Sequence, residues 1–160
     1  MIRTTALAVL GLVCAMPAWS QTLELKFGTT STPGSVQVLS AEEFARRFNQ
    51  KMGGKARIDV FHSSQLGGDR EMLQKLKLGT LDMSQPSTAT SSVVPDFGLF
   101  DMPYLIKDRK HMTCAAKEVV WPKMAPKLEP QGYKLLGIWE NGVRQISNSQ
   151  RPIEIGRAHV

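Results

Sequence analysis

The chain has 160 residues and a formal net charge of +6, with 42% hydrophobic and 21% charged residues. That balance is ordinary for a globular protein with one core and excludes a disordered or low-complexity chain. A basic excess can serve nucleic acid, an anionic membrane or an acidic ligand, so the placement of the charges decides. Here Glu42-Glu43 precede Arg46-Arg47, and Asp69-Arg70-Glu71 precede Lys75 and Lys77. Such spacing gives ion pairs along solvated helix faces. No basic stripe alternates with aromatics, so nucleic acid is not an expected partner.

The first segment has the layout of an export leader. Arg3 supplies a positive start, Ala6 to Met16 is an uncharged apolar run, and Pro17 breaks it. Ala18-Trp19-Ser20 then places small residues at the two positions that flank cleavage before Gln21. This is the pattern of a secretory signal peptide over residues 1–20. The apolar run is too short to span a bilayer comfortably, so no stable membrane insertion is expected after its removal. Cys14 follows Val13 rather than a small residue, which argues against lipid attachment. Cys114 is then the single cysteine outside the leader, and its neighbours Met112, Ala115 and Ala116 predict a buried thiol.

Beyond the leader, strand and helix signals alternate. Leu23–Phe27 alternates with period two and stops at Gly28, predicting a strand. Thr29 to Ser35 carries hydroxyls and Pro33-Gly34, a turn. Ala41, Phe44, Ala45, Phe48 and Met52 recur at helical spacing over 35–52, and Gly53-Gly54 ends that helix. Ser40 and Glu43 have capping-box spacing, but inside the helix rather than at its start. Ile58–Phe61 predicts a second strand, Ser63 to Gly68 a second polar turn, and Asp69 a helix N-cap ahead of Met72, Leu73 and Leu76. Leu81–Met83 predicts a third strand, followed by the polar loop Ser84 to Ser92.

The remainder is less regular. Pro95 to Met102 is an irregular or strand segment, and Asp108 to Val120 has the spacing of a third helix. Pro122, Pro126 and Pro130 interrupt the next stretch of chain. Tyr133–Trp139 predicts a fourth strand and Arg144–Ser147 a fifth. Short strands separated by helices imply an α/β sheet with crossover connections.

In such sheets ligands bind beyond the carboxyl ends of the strands. Thr29 to Ser35, Ser63 to Asp69 and Ser84 to Ser92 all fall there, and each supplies hydroxyls, amides or backbone donors suited to a polar small molecule. One such loop alone could simply cap a helix; three on one edge predict a cleft. The three histidines, His62, His111 and His159, are isolated, with no metal-ligand spacing, and no nucleophile-elbow, P-loop or dinucleotide motif is present. An acid–base site built on His62, Asp69 and Glu71 is conceivable, but a surface or core histidine is the plainer reading. No cofactor is implied. Arg144, in Glu140-Asn141-Gly142-Val143-Arg144, offers a planar donor fork that matches a carboxylate. On spacing alone it serves equally well in a surface ion pair with Glu140.

Several linked stretches carry a resemblance. They are Lys26-Phe27-Gly28 with Pro33-Gly34-Ser35, Ser64-Gln65-Leu66-Gly67-Gly68-Asp69-Arg70-Glu71-Met72, Leu78-Gly79-Thr80-Leu81-Asp82-Met83, Phe100-Asp101-Met102-Pro103-Tyr104, and Glu140 to Arg144 with Arg151-Pro152-Ile153. In this order and spacing the chain is similar to the periplasmic solute-binding subunits of TRAP transporters, the DctP-type, family 7 extracellular solute-binding proteins. The resemblance implies two α/β lobes that close over a small organic acid and deliver it to a small and a large membrane subunit driven by an ion gradient, without enzymatic turnover. It places Arg144 at a cleft arginine that grips the ligand carboxylate, and Asp69, Ser87 and Thr30 at positions from which the first lobe reaches the ligand. Alternatives are a ligand-sensing subunit of a two-component receptor and, behind it, a periplasmic hydrolase or lyase.

The expected organisation is a periplasmic-binding-protein-like α/β lobe over residues 21–141, a crossover and the start of the second lobe over 142–154, and truncation before most of that lobe. A full member has roughly 300 residues, about two ordinary domains. The resemblance also implies a second carboxylate-binding arginine, which would lie beyond Val160. Residues 155–160, Ile-Gly-Arg-Ala-His-Val, match a translated sequencing adapter and are expected to be foreign. The 160-residue chain alone is therefore expected to bind ligand poorly.

Overall fold

Leu23–Gly28 forms strand β1, the centre of a three-stranded parallel sheet in a computed structural model that describes residues 22–142 and Ser149. The expected leader, the expected fifth strand with Arg144, the tail at 155–160 and all but Gly142 and Ser149 of the expected crossover lie outside the described residues. Strand β2 is Ala56–Phe61 and strand β3 is Met83–Ser84, giving the order β2-β1-β3. Leu23 to Gly28 runs in register with Ala56 to Phe61, and Phe27-Gly28 with Met83-Ser84. Parallel neighbours need crossovers, and helices α1 (Val36–Met52) and α2 (Asp69–Lys77) supply them.

The helical spacing read from the sequence is the buried face of α1. Ala41 and Ala45 pack against Phe27 and Ile58 in the core, with Leu25, Phe44, Phe48, Val60 and Met83 around them. Ser35 is the N-cap, its side chain accepting the Val38 N–H at 3.4 Å, while Ser40 sits inside the helix and donates to the Val36 carbonyl. Gly53 ends the helix in the left-handed conformation, φ 53°. From its last turn Asn49 reaches β2: its Oδ1 accepts the Ile58 N–H at 2.7 Å and its Nδ2 donates to the Ile58 carbonyl at 3.1 Å. One side chain thereby satisfies both backbone groups on the outer side of an edge strand.

Helix α2 begins one residue earlier than its expected cap implies. Gly68 is the N-cap, and Asp69 is the first helical residue, where its carboxylate still faces the positive end of the helix dipole. Met72 and Leu73 are its buried residues. Strand β3 is also displaced from the expected Leu81–Met83. The Asp82 carboxylate accepts the Lys26 N–H at 2.8 Å, so a side chain replaces a ladder bond and backbone pairing starts only at Met83.

After β3 the expected polar loop contains a short 3₁₀ helix, Thr88–Ser92, and the segment left open as irregular or strand forms a second, Pro95–Asp101. The expected long third helix is divided. Helix α3, Arg109–Ala115, starts from Asp108, whose carboxylate accepts the His111 N–H at 2.7 Å. Over Ala116–Met124 it widens into π-helical turns around Pro122, which has no N–H to give to an α-register partner. Cys114 is exposed rather than buried, because no residue of α3 is fully covered.

Tyr133–Trp139 is not a strand: it has no ladder partner among the described residues. The alternation that predicted one survives as alternating burial, and side chains hold the segment instead. The Tyr133 hydroxyl donates to the Leu73 carbonyl at 2.9 Å. Trp139 meets Phe27 and Phe44 with ring centroids 6.4 and 6.2 Å away. Among the described residues no helix is long and apolar enough to cross a membrane.

Candidate functional site

Because all three strands are parallel, the turns that follow them emerge on one edge of the sheet, and backbone bonds draw them together. The turn after β1 is the hub. Thr29 is 1% exposed and donates its N–H to the Phe61 carbonyl at 2.8 Å. Its carbonyl accepts the Ser64 N–H at 3.3 Å, and the Ser31 carbonyl accepts the Ser63 N–H at 2.9 Å. Ser63 and Ser64 reach these partners from the left-handed region, with φ of 51° and 58°, an uncommon conformation for residues other than glycine. On the other side, the Gln85 N–H donates to the Gly28 carbonyl at 3.1 Å, extending the β3 ladder by one residue.

The β2 and β3 turns meet each other as well. Asp69, partly buried at the start of α2, accepts the Ser87 backbone N–H on its Oδ2 at 3.3 Å. Beside this contact a cavity of about 590 Å³ is lined by Gly68, Asp69, Arg70, Thr88, Ser91 and Asp101, among others. The turn into α2 is braced by Lys75, whose ammonium donates to the Leu66 carbonyl at 3.0 Å and pairs with Glu71 at 2.7 Å. The hydrogen bond from Lys75, with its charge and a further bond from the Gly68 backbone, holds the Glu71 carboxyl below the ordinary carboxylate range.

Of the four residues expected at the ligand, Asp69 and Ser87 are brought into contact. Thr30 lies half-buried in the central turn, between Thr29 and Ser31 that bind the β2 turn. Arg144 lies outside the described residues. Its alternative partner Glu140 is bonded to Arg109 at 2.9 Å. The conceivable acid–base set is dispersed among other partners: His62 Nδ1 lies 3.0 Å from Ser63 Oγ, Asp69 holds Ser87, and Glu71 holds Lys75. His111 is structural, its Nδ1 accepting the Lys107 N–H at 3.3 Å at the start of α3. Among the described residues no group of three or more His, Cys, Asp or Glu is placed to hold a metal ion. What the edge offers is hydroxyls, amides and a carboxylate, the means of binding a polar molecule.

The sequence reading passed over Gln85. Both polar atoms of its side-chain amide, and Oδ1 of Asp69, are shielded from solvent and have no hydrogen-bond partner among the described residues. In sequence it is one more polar residue of a loop. Its position directly after β3, at the carboxyl edge of a parallel sheet, was the available signal.

Residues 27–155 match the model of the bacterial extracellular solute-binding protein family 7. A 2,3-diketo-L-gulonate-binding periplasmic protein of Escherichia coli is 28% identical over 152 residues, which cover 94% of this chain and 46% of that protein. A TRAP periplasmic solute-binding protein of Sulfurospirillum deleyianum, solved with bound succinate, shares 31% identity at a TM-score of 0.65, over 69% of this chain and 36% of that one. A second, from Polaromonas and bound to D-erythronate, shares 28% identity at a TM-score of 0.63, over 69% and 37% respectively. The chain thus spans less than half the length of these relatives.

Proposed function

Since this chain belongs to the family 7 extracellular solute-binding proteins, we propose that it is the first lobe of a periplasmic protein that captures a small organic acid and delivers it to the membrane subunits of a TRAP transporter. The single observation that carries this reading is the convergence of three polar turns on one edge of a parallel sheet, tied to one another through Thr29, Ser31, Gly28 and the Asp69–Ser87 contact. That edge is where open α/β sheets bind ligands. The E. coli, Sulfurospirillum and Polaromonas relatives bind acids, and solute-binding proteins of this family are not enzymes.

In this reading residues 1–20 are the export leader, 21–141 the lobe, and 142–154 the crossover toward a second lobe. Arg144 holds the ligand carboxylate through its donor fork, while Thr30, Asp69 and Ser87 contact the rest of the molecule. Isothermal titration of the complete gene product with a panel of carboxylates tests it. Expected is saturable binding with a Kd on the order of micromolar or tighter, and Arg144→Ala should weaken it by at least about 30-fold, as for truncation of one partner in a hydrogen-bonded charge pair. Absence of binding to every acid, or undiminished binding by the Arg144 variant, would refute the assignment.

A further inference from the structure

Trp139, Glu140 and Asn141 are each held to a different side chain of the lobe, and from this we infer that Trp139 is a positioning residue, one that sets where Arg144 meets the ligand carboxylate. This rests on the reading of Arg144 as the residue that holds that carboxylate. The Trp139 ring stands edge-on to Phe44 at 6.2 Å and tilted to Phe27 at 6.4 Å, and those two rings meet edge-on at 6.2 Å. Phe27 is 2% exposed and belongs to the core, so the tryptophan leans on a fixed wall. A Cβ on Gly137 would stand 3.1 Å from the Trp139 ring; the missing side chain lets the ring fold back over its own segment. Beyond it, Glu140 pairs with Arg109 at 2.9 Å, and Gln37 Nε2 donates to Asn141 Oδ1.

Two of these partners flank the turn after β1. Phe27 lies at the end of that strand and Gln37 in the first turn of α1, with Thr29 and Thr30 between them. Residues 139–141 are thereby registered against the turn that carries Thr30. Arg144 follows Asn141 by three positions in the sequence, and three residues of extended chain reach about 11 Å at most. Without these contacts, the hydrogen bond that ties the segment to the lobe is the one from Tyr133 to the Leu73 carbonyl, eleven positions before Arg144. The effective concentration of a tethered group falls as roughly the 3/2 power of tether length, so the longer tether dilutes Arg144 about sevenfold. The aromatic contacts carry most of this. The Arg109 side chain is 86% exposed, and an ion pair so placed adds only modestly.

The test pairs two measurements on the complete gene product. Isothermal titration uses succinate or D-gluconate, whichever binds the parent more tightly, with the tightest acid of the carboxylate panel in their place if neither binds. Trp139→Ala should weaken binding at least about fivefold, while Trp139→Phe, which keeps a ring against Phe27 and Phe44, should stay within about twofold of the parent. Asn49→Ala, which destabilises the sheet far from this segment, should leave the Kd unchanged. Nitroxide labels on Lys51→Cys and Arg144→Cys, with other cysteines removed, read the position of residue 144 without any ligand; their distance distribution should broaden in Trp139→Ala. If that variant fails to fold, Gln37→Ala with Arg109→Ala leaves the core intact and should broaden the distribution and weaken binding about twofold. An unchanged Kd or an unchanged distribution in the variant that folds would overturn the inference and leave the acid-capture reading standing. So would an equal loss of affinity in Asn49→Ala, or a loss in Trp139→Phe as large as in Trp139→Ala. Failure of every acid in the panel would remove that reading and this inference with it.

Discussion

The carboxylate of Asp69 accepts the backbone N–H of Ser87 at 3.3 Å, joining the first turn of α2 to the loop that follows β3, 18 positions away. Two turns that the sequence separates by a whole helix are thereby held as one surface. The contact also has a stability consequence. Asp69 is the first residue of α2, with an acidic partner in Glu71 and basic residues Lys75 and Lys77 in the last turn. Asp69→Ala removes both the bond to Ser87 and a negative charge at the helix N-terminus, at an expected cost of about 1–2 kcal/mol. Asp69→Asn keeps an acceptor for Ser87 and should lose less than half of that. Urea unfolding of the two variants beside the parent protein checks the order; equal losses would show that the charge alone matters.

Asn49 supports the other edge of the sheet. Its amide both accepts from and donates to the backbone of Ile58, at 2.7 and 3.1 Å, so removing it leaves two groups of β2 without their partner. Asn49→Ala should destabilise by about 1–3 kcal/mol. Asn49→Asp retains the acceptor but not the donor and sets a carboxylate against the Ile58 carbonyl, so it should not restore the loss. Hydrogen exchange at Ile58 gives a local readout: its protection should fall in Asn49→Ala by more than that of Phe27 in the central strand, and by less in Asn49→Asp, which keeps the acceptor for the Ile58 N–H. Uniform loss of protection across the sheet would contradict a local role.

These two contacts mark where sequence reading stops. The period-two run at Leu23–Phe27 and the helical spacing of Ala41, Phe44, Ala45 and Phe48 are local patterns, and they placed β1 and α1 to within a residue. The polar turns could be placed on one edge because parallel strands leave no other arrangement. Asn49, Gln85 and Tyr133 act through partners 9 to 60 positions away or through burial imposed by the fold, and nothing in their neighbours announces it. Cys114 failed for a related reason: apolar neighbours predict burial only if another element covers the helix, and α3 has no fully covered residue. Trp139 kept the alternation of a strand without a strand partner, since side-chain burial alone imposes the same period.

Glu43 gives a pH-dependent signature on the outer face of α1. Its carboxylate meets Arg46 and Arg47, each at 2.6 Å. Hydrogen bonds from Arg46 and then Arg47 bring the Glu43 pKa down from 4.5 to about 2. A depressed carboxyl stabilises the folded state above its ordinary value and loses that contribution as pH falls through the depressed one. The Glu43 contribution is therefore present at pH above 4.5 and disappears as pH drops toward about 2. Carbon-detected NMR titration should follow the Glu43 carboxyl to a midpoint far below 4.5. High salt should move it back toward the ordinary value, because the cluster is solvent-exposed. A salt-independent midpoint would show that screening does not reach it.

Met72 of α2 packs against Gly28 at the end of β1. A Cβ built on Gly28 would stand 2.6 Å from Met72 Sδ and 3.6 Å from methyl carbons of both Leu66 and Leu81. A methionine end is flexible and could move aside at an exposed site, but Met72 is 0% exposed and has little space to enter. Gly28→Ala should therefore cost about 1–3 kcal/mol by overpacking. The Gly28 carbonyl also receives the Gln85 N–H, so a shift of the strand would disturb the candidate site as well as the core. The partner substitution separates these effects. Met72→Ala alone opens a cavity and should cost about 2–5 kcal/mol, whereas Gly28→Ala combined with Met72→Ala fills part of that space. The double variant should then be more stable than the sum of the two single losses predicts, by at least about 0.5 kcal/mol in urea unfolding. Strict additivity would mean that α2 relaxes away from the sheet instead of Met72 absorbing the contact, and affinity for the acid probes should then fall in Gly28→Ala because the Asp69–Ser87 contact moves with the helix.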